Sequence, residues 1–202
     1  MGRGVLRYLP LINCIHLKNS CMNSKAIFFR CKIKCTNGSN KITIGEGTYL
    51  KKSTILIMGK NNEVRIGKNV RANGLLIWIE DDGNFVDIQD NVIFVNNDRI
   101  ACMEGTKVYL GNDCLLSSDI VIRTGDSHSI VNSENERINM SLSIHIGDHV
   151  WIGQRAIILK GTKIERDSVI AAGSIVTRKT FVPNVVLAGN PANIVKRNIN
   201  WK

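Results

Sequence analysis

The first 45 residues contain no aspartate and no glutamate, although Arg3, Arg7, Lys18, Lys25, Arg30, Lys32, Lys34 and Lys41 all fall there. The whole chain carries a formal charge of +10. Such an imbalance favours anionic partners: nucleic acid, acidic lipid, acidic polysaccharide or a phosphorylated cofactor. Charge alone does not choose among them, and a solubilising surface would look the same. Aromatic residues make up only 5% of the chain against 44% hydrophobic overall, so the core must be assembled from Ile, Val, Leu and Ala. Three prolines in 202 residues argue against a disordered chain. No run approaches the ~20 apolar residues that span a bilayer. The apolar stretch Val5–Ile15 is interrupted by Arg7, Pro10 and Asn13 and is followed by no small-residue cleavage site, so no secretory leader is expected. No CxxC pair occurs. Of Cys14, Cys21, Cys31, Cys35, Cys102 and Cys114, only Cys31 and Cys35 have a metal-like spacing, and no second pair completes it. Reduced thiols and a cytoplasmic location, including the inner face of a membrane, are the expectation.

What the sequence does contain is a repeat. Ile44-Gly45, Ile66-Gly67, Ile88-Gln89 and Leu110-Gly111 follow one another at 22-residue intervals. Each is preceded by a related pair (Ile42-Thr43, Val64-Arg65, Val86-Asp87, Val108-Tyr109) and, before that, by a Gly/Asn turn. A finer beat of six runs through Ile146, Ile152, Ile158, Ile164, Ile170, Val176 and Val182, with the small or branched Val150, Ala156, Thr162, Ser168 and Ser174 two residues ahead of successive aliphatics. One obligatory aliphatic every six residues describes a short strand, a corner and another short strand. Three such sides close a triangular coil of about 18 residues, and stacked coils pair their strands in parallel. A 22-residue unit is then such a coil with about four extra residues at one corner, where the Gly/Asn clusters belong. Hairpin-built sandwiches and leucine-rich repeats do not fit these spacings.

These hexads resemble those of the hexapeptide-repeat acyltransferases. The resemblance covers residues ~38–198 and is strongest in two stretches. One runs from Ser117 to His128; the other runs from Ile146-Gly147-Asp148-His149-Val150-Trp151-Ile152-Gly153 to the closing Ala188-Gly189-Asn190-Pro191-Ala192. Together they are similar to the polysaccharide O-acetyltransferase branch, near the maltose, galactoside and xenobiotic acetyltransferases. The resemblance implies an all-β, left-handed parallel β-helix, an acetyl-CoA donor with no metal, a homotrimer, and active sites in clefts between coils. The expected organisation is a capping segment at 1–37, the β-helix over 38–190 and a tail over 191–202 forming a short C-terminal helix. The basic capping segment could instead rest on an anionic membrane.

The six-residue beat breaks once, over residues 125–143, and His128 sits near the start of that polar excursion. A long loop leaving a rigid solenoid is a usual carrier of function. A neutral imidazole there can take the proton of a sugar hydroxyl as its oxygen attacks a thioester. A lone loop histidine is otherwise a solvated surface residue, and the family motif is what favours catalysis. Asp126 and Glu104 are candidate orienters of the ring. Alternation puts Trp151 outside the prism, where it serves either a contact between copies or, as the resemblance implies, the acceptor and pantetheine cleft.

Gly153, Ala171, Ala172 and Gly173 are small enough to admit a pantetheine arm, although tight corners require the same residues. By resemblance, Gly153 and Gln154 offer backbone N–H groups to the oxyanion. Also by resemblance, Thr177 and Arg178 lie near the pantetheine and phosphates. Lys196 and Arg197 could meet the 3′-phosphate as charges. His145 and His149 bracket a corner and share no helical face, which does not suit a metal pair. A nucleic-acid partner is not expected. The leading activity is O-acetylation of a sugar, surface polysaccharide or precursor. N-acetylation of an amino sugar nucleotide, acetylation of a xenobiotic, and a carbohydrate-binding solenoid without activity are the alternatives. No Rossmann-type glycine motif opens the chain to support the nucleotide-sugar reading.

Overall fold

The computed structural model describes residues 13–202 apart from position 178. These residues wind into a triangular solenoid whose three faces are sheets of eight, eight and nine strands, parallel throughout except for the last strand of the third. Face 1 runs from Cys14–Leu17 to Ile175–Val176, face 2 from Cys21–Ser24 to Thr180–Phe181, and face 3 from Ile27–Phe29 to Val185–Gly189 and Ala192–Arg197. No helix occurs among the described residues, and none is therefore long and apolar enough to cross a membrane.

Each strand alternates an inward aliphatic with an outward residue, and the inward ones stack in columns. On face 2, Ile44, Ile66, Ile88, Leu110, Ile146 and Ile164 are successive register partners. All are essentially buried. The glycines after them allow coils to approach closely: a Cβ on Gly111 would lie 2.6 Å from the backbone of Gly147 and Asp148. One column breaks its expected residue. Ile164 pairs with Phe181, which is buried, and Val182 is about half exposed. The last coil is one residue short on this face, so the aliphatic at 182 is turned outward.

The extra residues of the 22-residue coils sit at the corner between faces 1 and 2. Ile33 and Ile44 are eleven apart, where Ile158 and Ile164 in an 18-residue coil are six apart, while the face 3 to face 1 step shortens by one. This enlarged corner is filled by a polar ladder. Asn40 Oδ1 accepts from Asn62 N–H at 3.0 Å, Asn62 Oδ1 from Asn84 N–H at 2.8 Å, and Asn84 Oδ1 from Thr106 N–H at 3.1 Å. All four residues are buried. Each amide thus satisfies a backbone donor of the next coil that would otherwise be buried unpaired.

Two boundaries differ from the sequence reading. The segment expected to cap the solenoid before residue 38 is itself part of it from Cys14 onward. Cys14–Leu17 pairs with Lys32–Cys35, and Cys21–Ser24 pairs with Lys41–Ile44. Its half-buried Ile15, Leu17, Met22 and Phe28 pack against the core in a coil that carries no Ile-Gly pair to mark it. The expected C-terminal helix is a strand. Ala192–Arg197 folds back antiparallel on Val185–Gly189, giving partners to an edge that would otherwise be open.

The corner between faces 3 and 1 holds a buried acid. Asp98 Oδ1 accepts from Ile120 N–H at 2.9 Å, and Oδ2 has no partner among the described residues. Burial pushes its carboxyl up to about 7, with a smaller contribution from the Asp119 charge. The folded state therefore holds this proton more tightly than the unfolded chain does. Stability from it is complete at low pH and is lost as pH rises from about 4 through 7, by at most about 4 kcal/mol. Asp98→Asn keeps the acceptor and cannot ionise. Its Tm should match that of the wild type near pH 4 and exceed it at pH 8; equal Tm values at both pH values would show that Asp98 does not ionise at a cost.

Candidate active site

The excursion leaves the enlarged corner between faces 1 and 2, where the asparagine ladder ends. Thr106 hands over to Thr124, hydroxyl to hydroxyl at 2.6 Å, and Thr124 Oγ1 accepts from Met103 N–H at 3.1 Å. Chain that in other coils would turn onto face 2 instead continues outward and returns at Ile144–Ile146. Within it Val131 and Arg137 form an antiparallel bridge around a turn held by Asn132.

His128 is exposed near the root of this arm. Its position is set through the backbone. Asn139, itself buried, donates to the His128 carbonyl and to Asp126 Oδ2, both at 2.8 Å, and accepts from Ile130 N–H at 2.7 Å. Lys160 binds both Asp126 and the Asn139 carbonyl. Its ammonium, with the Asn139 amide, holds the Asp126 carboxyl below the usual carboxylate range. Glu104 takes Arg137 at 2.7 Å and Ser141 N–H at 3.2 Å, and its carboxyl is likewise lowered, by Ser141 first and then Arg137. Asp126 and Glu104, expected to orient the imidazole, are therefore occupied in fastening the arm, and neither bonds the ring. Adjacent side chains on an extended segment diverge, and Glu104 is drawn to the nearer guanidinium.

Trp151 lies outward on face 3, 39% exposed, with its indole N–H donating to Ser117 Oγ at 3.2 Å. Trp201 leans on it at 6.1 Å and stacks on His149 at 4.2 Å, donating to the His149 carbonyl at 2.8 Å. His149 Nδ1 in turn lies 2.9 Å from Asp167. His145 stacks on Tyr109 on face 2, with its basicity lowered chiefly by burial. Gly153 and Gln154 occupy the corner between faces 3 and 1, directly under Ala171 and Ala172. A Cβ on Gly153 would meet Ala172 N at 2.6 Å. The Gly153 N–H already donates to Ile170 O at 2.8 Å, and that of Ala171 to Leu187 O at 2.8 Å. Gly153 is thus not the open oxyanion donor that was expected: the parallel ladder uses its N–H. Thr177 is exposed after the last strand of face 1, and Lys196 is exposed on the antiparallel strand. Arg178 lies outside the described residues.

A triangle has one face that does not touch a given corner. Face 3, with Trp151, is the face opposite the corner that releases His128. His128 and Trp151 therefore belong to opposite sides of the prism.

Residues 143–178 match the family model "Bacterial transferase hexapeptide (six repeats)". The chain is 35% identical to a polysialic acid O-acetyltransferase of Neisseria meningitidis, over 81% of this chain and 75% of that protein. It is 34% identical to the galactoside O-acetyltransferase of Escherichia coli K12, over 78% of this chain and 64% of that one. The crystal structure of the polysialic acid O-acetyltransferase OatWY superposes with a TM-score of 0.88 at 31% identity, covering 95% of this chain and 91% of that one. The chain belongs to the hexapeptide-repeat O-acetyltransferases. The solenoid is accordingly the left-handed parallel β-helix of that family, and the chain is an acyltransferase of the sugar-acetylating kind.

Within this family fold, sequence reasoning located the arm but not its fastenings. Lys160 had a readable signal. Register pairs Arg123 with Leu159, so Lys160 stacks one coil beyond Thr124, at the root of the arm. Asn139 had none, because nothing in an irregular loop marks which amide folds inward. Asn139→Ala leaves the Ile130 N–H and the Asp126 carboxylate short of partners, at a cost of about 1–3 kcal/mol. Amide exchange across 126–141 should accelerate roughly 5- to 160-fold while Tm, set by the coils, changes little. Unchanged exchange in this segment would remove Asn139 from its anchoring role.

Proposed function

We propose that His128 is the general base of acetyl transfer from acetyl-CoA to a carbohydrate hydroxyl. The imidazole takes the hydroxyl proton as the oxygen attacks the thioester carbonyl. The tetrahedral intermediate collapses with cleavage of the C–S bond, and the imidazolium returns the proton to the departing thiolate, giving free CoA and an acetyl ester. The observation that carries this reading is that the solenoid's one long excursion presents an exposed imidazole on a root fastened by Asn139, Lys160 and Arg137. A rigid root with a free ring suits a group that must meet a substrate proton.

The active assembly is a homotrimer in which the arm of one copy faces the Trp151 surface of the next. Two features support this. His128 and Trp151 lie across the prism from one another. The arm also exposes Ile130, Val131, Ile138 and Met140, each about half or more accessible, which is unusual for a strut in water. Gln154 N–H, which makes no backbone bond among the described residues, is the remaining candidate for the oxyanion. Ala172 and Thr177 would flank the pantetheine, and Lys196 suits a phosphate. The acceptor class follows the relatives: a surface polysaccharide or its precursor, supported by similar proteins of Neisseria meningitidis and Escherichia coli named for polysialic acid.

His128→Ala should lower kcat about 10²-fold or more with KM for acetyl-CoA little changed, read as acceptor-dependent release of free thiol. A variant that keeps wild-type kcat would remove the base role from His128 and leave the family membership intact.

A further inference from the structure

A groove on the outer surface of face 1 runs up to the root of the arm. Three adjacent strands make it: Ala101 on the middle strand is the floor, Trp78 and Arg123 flank it on either side, Leu76 and Arg99 lie at one end, and Glu80 and Ser127 line the other. Register fixes their order. Leu76 pairs with Arg99 and Trp78 with Ala101 on adjacent strands, and Ala101 pairs with Arg123 on the next. Arg99 therefore lies at the far end, Trp78 and Arg123 in the middle, and Glu80 with Ser127 at the end next to His128. Four residues of strand separate Leu76 from Glu80, roughly 13 Å at the usual rise, which is the length of one to two pyranose rings.

The chemistry is unequal along that length. Trp78 is 42% exposed, a large indole left open on a surface where aromatics are scarce. Arg99 is exposed and forms no ion pair among the described residues, although Asp119 lies on its outer side. Arg123 is held by the Gly125 carbonyl at 2.7 Å and by Ser127 Oγ at 3.3 Å, which directs it toward the arm. Glu80 accepts from Ser127 Oγ at 2.9 Å, so the inner end offers a carboxylate and a hydroxyl. An aromatic face, an unpaired guanidinium and hydroxyl-binding groups in line are what an acidic sugar requires: stacking for the ring, a fork for the carboxylate and polar partners for the hydroxyls.

We propose that this groove binds an anionic sugar residue of the acceptor, with Arg99 pairing its carboxylate and Trp78 carrying its ring. The polarity sets a direction. The carboxylate lies away from the base, because Glu80 would repel it at the inner end, and a hydroxyl lies toward Ser127 and His128. This inference rests on the carbohydrate O-acetylation reading and adds to it a requirement for acid.

The test uses trisaccharides of sialic acid and of galacturonic acid, each beside the same trisaccharide with its carboxyls reduced to alcohols. Binding is measured by calorimetry without acetyl-CoA, and acetyl transfer is measured separately. Wild type should bind at least one acidic form about 10-fold or more tighter than its reduced partner. Arg99→Gln should abolish that difference, and Trp78→Ala should weaken both forms. Lys32→Gln removes the same charge from the same face three strands away, roughly 14 Å, and should leave the difference intact. Discrimination that persists in Arg99→Gln, or that falls equally in Lys32→Gln, would overturn the proposal, as would its absence in wild type. So would a change of oligomeric state in Arg99→Gln or Trp78→Ala by light scattering, which would assign the groove to contact between copies. Discrimination without transfer to either trisaccharide would leave acid recognition by the groove standing and overturn the assignment of the bound sugar as the acceptor.

Discussion

A parallel solenoid obliges each coil to complete the hydrogen bonds of its neighbour, and the corner between faces 1 and 2 is where that obligation is hardest to meet. Straight faces satisfy it with the β-ladder, and small corners satisfy it with single turns. An enlarged corner encloses backbone that neither arrangement reaches. Asn40, Asn62 and Asn84 supply the missing acceptors one coil at a time, each through the same Oδ1 atom to the amide one coil on. Such a stack is cooperative in the plain sense that every member is useless without the coil beyond it. It also explains the 22-residue period: the unit is the length that carries one asparagine.

The stack has to end, and its end is where the arm begins. Thr106 replaces the next asparagine, Thr124 closes the line, and the chain leaves the prism between Thr124 and Ile144. Ending a buried polar ladder inside the solenoid would strand an unpaired group, at a cost comparable to a lost hydrogen bond. Sending the chain outward at that point lets loop residues such as Ser143, whose hydroxyl takes the Lys107 N–H at 3.0 Å, finish the pairing. The location of the histidine is thus a consequence of packing before it is a matter of chemistry. On face 2 the coils beyond the arm shorten to 18 and then 17 residues, because no ladder remains to be accommodated.

How much of this could be read from the residues alone depended on whether the feature was periodic. Ile44, Ile66, Ile88 and Leu110 recur because each must fill the same slot, so the fold and the break in it were legible. The first coil was not, since Ser24 pairs with Ile44 in that slot and Lys25 stands where the others carry glycine. Phe181 was missed because a one-residue deletion shifts the inward slot without changing hydropathy nearby. The tail was read as a helix because its last residues have no repeat, whereas the open edge of face 3 is what decides its shape. Asp126 and Glu104 lie near His128 in sequence and by coil, but both answer to cations that only the folded arm delivers. The family resemblance implies a free amide at Gly153, whereas the parallel ladder already engages that N–H.

On the proposed reading, the split between corner and face is what makes assembly part of the chemistry. A prism is rigid because its aliphatic columns leave no slack, and the same rigidity prevents His128 from swinging round to Trp151. The geometry can be completed only by bringing another prism alongside, so that one copy's arm meets another copy's face 3. The apolar side chains along the arm then have a place to be buried, and the free ring of His128 has a wall opposite it. The groove on face 1 lies on the near side of that junction, sharing Ser127 with the arm. An acceptor seated there would enter along the strands of one copy while the thioester lies along the corner of another. Donor and acceptor would approach the same imidazole from surfaces that no single chain can place side by side.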